Sequence, residues 1–270
     1  KTHNFNNMSN QKESSPLSRF FAGLVIILAL GLGIFIYMVI LGSSSNFDAE
    51  GHPKNVLGIM YKGGFIVPIL LGLLITVITI SIERFITIMR AKGKGSLDAF
   101  IHKIKGMLAS DQIDNAIKEC DKQQGSLANV MRSGLERYKL VKHDTSMNKE
   151  AKEAAIQKEL EEATSLELPM LTKNLPILST AASIGTLIGL IGTVFGMIRA
   201  FAALATAGQP DTAALATGIS EALVNTAVGI VSSTFAIVFY NMFSTRIDGL
   251  TYSMDEAGFS ILQTLKSHND

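Results

Sequence analysis

An uncharged run of 22 residues, FFAGLVIILALGLGIFIYMVIL at Phe20–Leu41, restricts the fold of this chain more than any other feature. A helix of about 20 apolar residues crosses the ~30 Å hydrocarbon layer of a bilayer. In lipid, every backbone N–H and C=O must find its partner within the protein, so such a run folds as a helix. Hydrophobic residues make up 47% of the 270 residues and charged residues only 17%. We therefore predict an integral membrane protein.

Three further apolar runs predict additional membrane helices, at 60–85, 173–204 and 213–243. The predicted fold class is all-α: a polytopic membrane protein with three core transmembrane helices, an extra N-terminal helix at 20–41 and a helical cytoplasmic insert. Long helices are expected to extend from the membrane into the cytoplasm. The first run, which follows a polar N-terminal segment at 1–19, also resembles a signal peptide. Its length favours an uncleaved helix.

Basic residues predict the orientation of these helices. Lys and Arg are retained on the cytoplasmic side of a membrane; here they flank the segment 86–172, whereas the short connection 205–212 has none. The insert 86–172 and the tail 244–270, predicted as a C-terminal helix, are therefore expected in the cytoplasm. The late pair of spans is rich in Gly, Ala, Ser and Thr, which favours close helix packing inside an assembly, with the Leu- and Ile-rich early pair outside.

The insert shows the apolar periodicity of helices. The segment beginning at Ser96 carries an apolar stripe, and the segments beginning at Asp111 and Ser126 start with residues typical of helix caps. A mixed-charge helix is predicted from about Asn148, with a solvated or inter-subunit face.

Enzymatic and metal-binding functions find no support in the sequence. Cys120 is the single cysteine, and the five histidines are scattered without the i,i+4 spacing of a metal site. No motif of a hydrolase, zinc protease or nucleotide-binding loop is present. We predict no enzyme activity, no cofactor and no metal, and the net charge of +1 gives no reason to expect nucleic-acid binding.

Small residues line one face of each late span. In the third span, glycines recur at spacings of 4, 3 and 4, which places them on one helix face; they are Gly185, Gly189, Gly192 and Gly196. In the fourth span the corresponding stripe consists of Gly218, Ala222, Thr226, Gly229 and Ser233. These stripes predict a close-packing contact, with hydroxyls that bond to their own helix backbone.

Glu221 is an acid inside an apolar span, next to Asn225 on a neighbouring polar stripe. A carboxylate near the centre of a membrane helix costs at least ~2.5 kcal/mol, so it is expected to face a cavity or a partner, or to be protonated. Two interpretations stay open. Glu221 takes part in ion transport, which is favoured, or it makes an inter-helix hydrogen bond that fixes register.

The segments GLIGTVFGMIRAF (Gly189–Phe201) and GISEALVNTAVGIVSSTFAIVFYN (Gly218–Asn241) resemble the two signature spans of the MotA/TolQ/ExbB proton-channel family, most closely its ExbB branch. The resemblance covers roughly residues 60–245. It implies a homo-oligomer, expected to be a pentamer, in the bacterial inner membrane around a dimer of single-span ExbD-like helices. Proton flow through that assembly would energise a TonB-like protein and hence outer-membrane transport.

The resemblance also implies roles for individual residues. Thr193 and Thr226 match the pore-facing threonines of the family, and Glu221 matches the acid of its last span. The main proton-carrying acid would then belong to the ExbD-like partner, and Asn225, Ser233 and the glycines would support the polar face. Hydroxyls suit this role because they hydrogen-bond to either protonation state of a carboxyl.

The chain departs from the family pattern in three places. Many relatives have Pro where Thr186 and Phe235 stand, and the extra helix at 20–41 is similar to the four-span arrangement of the MotA branch. A TolQ-like role in envelope constriction, a MotA-like stator and a purely structural membrane scaffold are therefore the alternatives.

Overall fold

The computed structural model describes residues 16–206 and 212–268, and these residues form helices with no strand. Four of the helices are long and apolar enough to cross a membrane. The predicted all-α polytopic fold is confirmed. The helices are α1 (Pro16–Phe35, continued by a π-helical turn Ile36–Leu41), α2 (Val56–Tyr61), α3 (Ile66–Ala91), α4 (Leu97–Ala109), α5 (Ile113–Gln123), α6 (Gly125–Lys142), α7 (Lys149–Thr172), α8 (Leu175–Thr206) and α9 (Thr212–His268).

The chain divides into two compact units. Among the described residues, the first unit contains 16–81 and 176–239, with the gap at 207–211, and the second contains 82–175 and 240–268. The first unit thus holds α1, α2 and most of α8, with the first halves of α3 and α9. The predicted division between a span ending at 243 and a separate tail helix falls inside α9, which is continuous from Thr212 to His268.

In the first unit, α1 packs directly on α3 because glycines let the two backbones approach. A Cβ on Gly33 would lie 2.6 Å from the Pro68 carbonyl oxygen and 2.7 Å from the Gly72 nitrogen. A Cβ on Gly72 would in turn lie 2.9 Å from Leu30 Cα. The extra N-terminal helix is therefore an integral part of this unit.

The segment 42–65, between the first span and α3, makes hydrogen bonds and ring contacts with the end of the first span. The Tyr37 hydroxyl donates to the Tyr61 carbonyl at 3.0 Å, and the two rings stack with centroids 4.7 Å apart. The buried Asn46 amide donates to the Leu41 carbonyl at 3.0 Å, which satisfies one of the free carbonyls at the helix end. Asn55 donates to Asn46 and caps α2.

In the second unit, the turn between α5 and α6 lies against the end of α3. A Cβ on Gly125, whose φ is +85°, would lie 2.5 Å from the Ala91 carbonyl oxygen, so this position requires glycine. The predicted caps at Asp111 and Ser126 are wrong. Asp111 adopts φ +55° and lies outside any helix, since α5 begins at Ile113. Ser126 is buried inside α6, because the turn packing moves the start of that helix to Gly125.

The same unit contains a buried arginine. Arg84 is 2% exposed and pairs with Glu83, while its Nη1 donates to the carbonyls of Met170 and Leu171 at 3.2 Å each. These carbonyls lie in the last turn of α7 and lack helical partners. Asn174, which has φ +65° and follows the helix end, donates to Glu83 at 3.2 Å. Arg84 therefore stabilises the break that ends α7.

Replacing Arg84 by Met should destabilise the protein strongly. The change leaves the half-buried Glu83 without its cation and two carbonyls without a donor, and breaking a buried pair of this kind costs roughly 3 kcal/mol or more. Thermal unfolding of the purified protein in detergent measures the effect. Arg90→Met, an exposed arginine of the same helix, is the matched control and should change the unfolding free energy by less than about 0.5 kcal/mol. Equal losses in the two variants would contradict this role of Arg84.

Candidate functional site

The late spans α8 and α9 meet along an antiparallel contact of glycines, which we call the glycine seam: Gly185, Gly189, Gly192 and Gly196 on α8, with Gly218 and Gly229 on α9. A Cβ on Gly229 would lie 2.6 Å from the Gly185 carbonyl oxygen, and one on Gly189 would lie 3.0 Å from the Asn225 carbonyl oxygen. A Cβ on Gly196 would lie 2.8 Å from the Gly218 carbonyl oxygen. Backbone therefore touches backbone along the seam, and an added side chain would be crowded at each of these points.

Polar side chains flank the seam, and some are bonded within the chain. Thr186 donates its hydroxyl to Ser233 Oγ at 3.0 Å across the two helices. Ser232, which is buried, donates to the Val228 carbonyl of its own helix at 2.9 Å. Both hydrogen bonds lie in the half of the seam that contains Gly185 and Gly229.

Two neighbouring side chains in the middle of the seam have no such bonds. Asn225 is 0% exposed and packs against Gly192, and in the described part of the chain neither atom of its amide has a hydrogen-bond partner. The buried hydroxyl oxygen of Thr226 also lacks a partner there. A buried polar group without a hydrogen-bond partner costs about 1–3 kcal/mol, so the described residues leave this cost uncompensated at both side chains.

Glu221 forms an ion pair with Arg199 at the end of the seam nearer the 207–211 connection. Arg199 Nη1 donates to Glu221 Oε1 at 2.6 Å, and the Glu221 side chain is 7% exposed. The guanidinium lies over the Phe65 ring, 5.5 Å from its centroid. Phe65 in turn meets Phe195 edge to face at 5.8 Å. Glu221 therefore faces a cation of its own chain.

Thr193 lies on a different kind of surface. Its hydroxyl donates to the Leu190 carbonyl of its own helix at 2.6 Å. It borders an open hollow with Val194, Ile198 and Phe201, all of which expose more than half of their side-chain surface. This apolar face of α8 is not covered by any of the described residues.

The structure therefore places the three predicted proton-path residues in three settings. Thr193 is on the uncovered face of α8, Thr226 is beside the seam and Glu221 is in an ion pair. Among the described residues no hydrogen bond or ion pair joins these three to one another.

Sequence reasoning missed Arg199, although the sequence contains a signal for it. Arg199 lies 11 residues before Pro210 and Glu221 lies 11 residues after it. In an antiparallel hairpin, residues at about equal distances from the connection lie opposite one another, as do Gly185 and Ser233, which are 25 and 23 residues from Pro210. A basic and an acidic residue in such positions predict a cross-helix pair.

Outside the spans, the single cysteine is inert. Cys120 is buried in α5, and burial raises the pKa of its thiol to about 12. A thiol with that pKa is almost entirely protonated at neutral pH and reacts poorly. Among the described residues no group of three His, Cys, Asp or Glu side chains is arranged to hold a metal ion.

Comparison with known proteins identifies relatives of this chain. Residues 122–256, which include Thr193, Glu221 and Thr226, match the MotA/TolQ/ExbB proton channel family. The Tol-Pal system protein TolQ of Pseudomonas aeruginosa is 31% identical over 184 residues, or 66% of this chain and 79% of that protein. The TolQ of Haemophilus influenzae is 33% identical over 107 residues, 38% of this chain and 47% of that protein. The biopolymer transport protein ExbB of Pseudomonas putida is 28% identical over 212 residues, 75% of this chain and 61% of that protein.

Replacing Gly229 by Ala should loosen the seam. The new methyl group would lie 2.6 Å from a backbone oxygen that has no flexible end to move, and overpacking of this kind costs roughly 1–3 kcal/mol. Thermal unfolding in detergent measures the loss. Gly31→Ala in α1 is the control, since nothing lies within 4 Å of its Cβ position. If the Gly229 variant unfolds at the same temperature as the Gly31 variant, the glycine seam is not a tight contact.

Proposed function

Because the chain belongs to the MotA/TolQ/ExbB proton channel family, we propose that it is the proton-channel subunit of an inner-membrane motor driven by the proton motive force. The observation that carries the proposal is the pair of unsatisfied polar groups, Asn225 and Thr226, buried beside the glycine seam within the matched region. Polar groups that a chain leaves unpaired inside a membrane mark the places where water, ions or partner helices pass.

In this proposal Thr226 contacts the proton path directly. Its hydroxyl can donate to a carboxylate and accept from a protonated carboxyl or a water, so it serves a neighbouring acid in both states. Thr193 contributes a second hydroxyl from the uncovered face of α8. Glu221 is the supporting acid near the outer half of its span.

The main proton-carrying acid belongs, in this proposal, to a partner. Five copies of the chain, as the resemblance to the family implies, surround two single-span ExbD-like helices. In each copy α8 and α9 are innermost, and α1 and α3 are outermost. The exposed apolar face around Val194 and Phe201 supports this arrangement, because the residues that the structure describes leave it uncovered. The insert and the tail lie in the cytoplasm, as the basic residues that flank them favour.

The motor is proposed to serve a TonB-like protein, as in an ExbB system, and so to energise outer-membrane transport. A TolQ-like role is the second candidate. It is supported by the TolQ of Pseudomonas aeruginosa, which is 31% identical and of which the match covers 79%.

Complementation separates the two roles: growth on a ferric siderophore under iron limitation reports the ExbB-like role, and restored resistance to detergents reports the TolQ-like role. Recovery of motility in a stator-deficient strain would instead indicate a MotA-like role.

Loss of the site hydroxyls should impair proton-driven function without dispersing the assembly. We expect Thr226→Ala and Thr193→Ala to reduce the proton-driven rate at least about tenfold, which corresponds to ~1.4 kcal/mol. Thr234→Ala is the matched control on α9, because that hydroxyl is exposed and bonded to its own helix. The complementation growth rate and the size of the purified complex are measured together. Full growth of both variants would refute the site assignment.

A structural scaffold makes the opposite prediction for the same positions. Under that alternative Glu221→Gln preserves function, whereas a bulky residue at Gly189 or Gly192 abolishes assembly. The two readouts, growth and complex size, decide between the proposals for each variant.

Crosslinking tests which spans are innermost. Val194→Cys on α8 and Ile27→Cys on α1 are a matched pair, since both side chains are exposed within one chain, at 58% and 69%. We expect a short bis-maleimide to join copies, or a copy and its partner, through the cysteine at 194 and not through the one at 27. The unsubstituted protein is the background, because Cys120 is buried and inert. Crosslinks through position 27 alone would reverse the proposed order of the helices.

A further inference from the structure

Glu221 is contacted by two groups of its own chain. Arg199 Nη1 donates to it from α8 at 2.6 Å. The second contact is Gly64, in the turn that precedes α3, where a Cβ would overlap Glu221 Oε1. Gly64 has φ +76°, a conformation that L side chains rarely adopt, so both its backbone geometry and its missing side chain make room for the carboxylate.

Arg199 is itself oriented by its surroundings. Its guanidinium lies over the Phe65 ring, the residue that follows Gly64, and Phe65 packs edge to face against Phe195 on α8. An arginine over an aromatic face is attracted by the ring quadrupole, more strongly where water is excluded. Phe65 therefore positions the Arg199 cation and Gly64 positions the Glu221 carboxylate, and the two charged groups meet at hydrogen-bond distance.

The burial of the two partners is unequal. The Glu221 side chain is 7% exposed, whereas that of Arg199 is 51% exposed. A carboxylate so deeply buried depends on its cation, because an unpaired charge in an apolar site is costly and tends to be neutralised by a proton. The long arginine stem, in contrast, lets its head remain near a polar boundary.

We propose that Arg199 is the positioning residue for Glu221, and that Gly64 is the seat against which the pair is held. Glu221 then acts as one half of a fixed ion pair beside the proton path, joining α8, α9 and the turn before α3, and does not itself carry protons. This inference deepens the proposed function and rests on it, because the proton path beside the ion pair is part of that proposal. The ion pair itself can be tested without it.

Charge exchange provides the central experiment, on the full-length protein with its partner. We expect Arg199→Gln and Glu221→Gln each to reduce proton-driven growth at least tenfold, and Arg199→Lys to stay within threefold of the unsubstituted protein. The double variant Arg199→Glu with Glu221→Arg should recover function relative to either single reversal, because it restores the ion pair with the two charges exchanged. A merely space-filling role for Arg199 predicts no such rescue. Full function of Arg199→Gln would overturn the proposal.

Infrared spectroscopy of the purified protein gives a readout that is independent of transport. Without its cation, the buried Glu221 should take up a proton, and Arg199→Gln should show a new carbonyl stretch of a protonated carboxylic acid. The double variant Arg199→Gln with Glu221→Gln should lack that band. Absence of the band in Arg199→Gln would overturn the proposal even if growth is impaired. If the bands appear as expected but no proton-driven activity is found in any assay, the proposed function fails and the ion pair stands.

Alanine at Gly64 tests the seat. Gly51 is the matched control, because it also has a positive φ, +80°, but nothing lies within 4 Å of its Cβ position. Both substitutions impose the same backbone strain, and only Gly64→Ala also displaces the carboxylate. We expect Gly64→Ala to give the impaired growth and the infrared band of Arg199→Gln, and Gly51→Ala to give neither. Identical behaviour of the two alanine variants would remove Gly64 from the proposed arrangement.

Discussion

Backbone contact between α8 and α9 is the constraint on which the rest of the first unit depends. A Cβ on Gly229 would lie 2.6 Å from the Gly185 carbonyl oxygen, so the two helices approach as closely as backbones allow. Helices in lipid gain little from burying apolar side chains, because the lipid is equally apolar, and close packing of this kind is what holds them together. The seam fixes the register of the hairpin. The register in turn brings Arg199 opposite Glu221 and Thr186 opposite Ser233.

Much of the fold could be predicted from the sequence because membrane spans are local features. Run length and the absence of charge identify a helix such as Phe20–Leu41 without knowledge of its neighbours. The glycine spacing likewise identified the face of α8 that meets α9. The helix starts in the insert were harder. Asp111 and Ser126 have the right chemistry for caps. Contact between the turn at Gly125 and the end of α3 decides where α6 begins, and Asp111 takes a left-handed conformation before α5.

The site was less predictable because its chemistry depends on contacts between distant segments. Glu221 was recognisable as an anomaly, yet its partner is 22 positions away and its seat, Gly64, lies in another segment altogether. Two interpretations were open for Glu221, transport and the fixing of register. The ion pair with Arg199 provides a physical basis for the fixing of register, because it joins α8 and α9 at one position along the hairpin. It leaves Thr226, whose hydroxyl has no partner in the described residues, as the stronger candidate for contact with a moving proton.

The arrangement of satisfied and unsatisfied groups along the seam has a consequence for coupling. At one end the Arg199–Glu221 pair is complete, and towards the other end Thr186 and Ser233 bond to each other. Between them, Asn225 and Thr226 are buried without partners in the described part of the chain. A partner that supplies a carboxyl at that level gains hydrogen bonds worth about 1–3 kcal/mol that the single chain lacks. The gain changes when the carboxyl changes its protonation state, because a carboxylate only accepts and a carboxylic acid also donates. Proton binding would thereby alter the attraction between the proposed partner helix and the seam, while the bonded ends keep α8 and α9 in place.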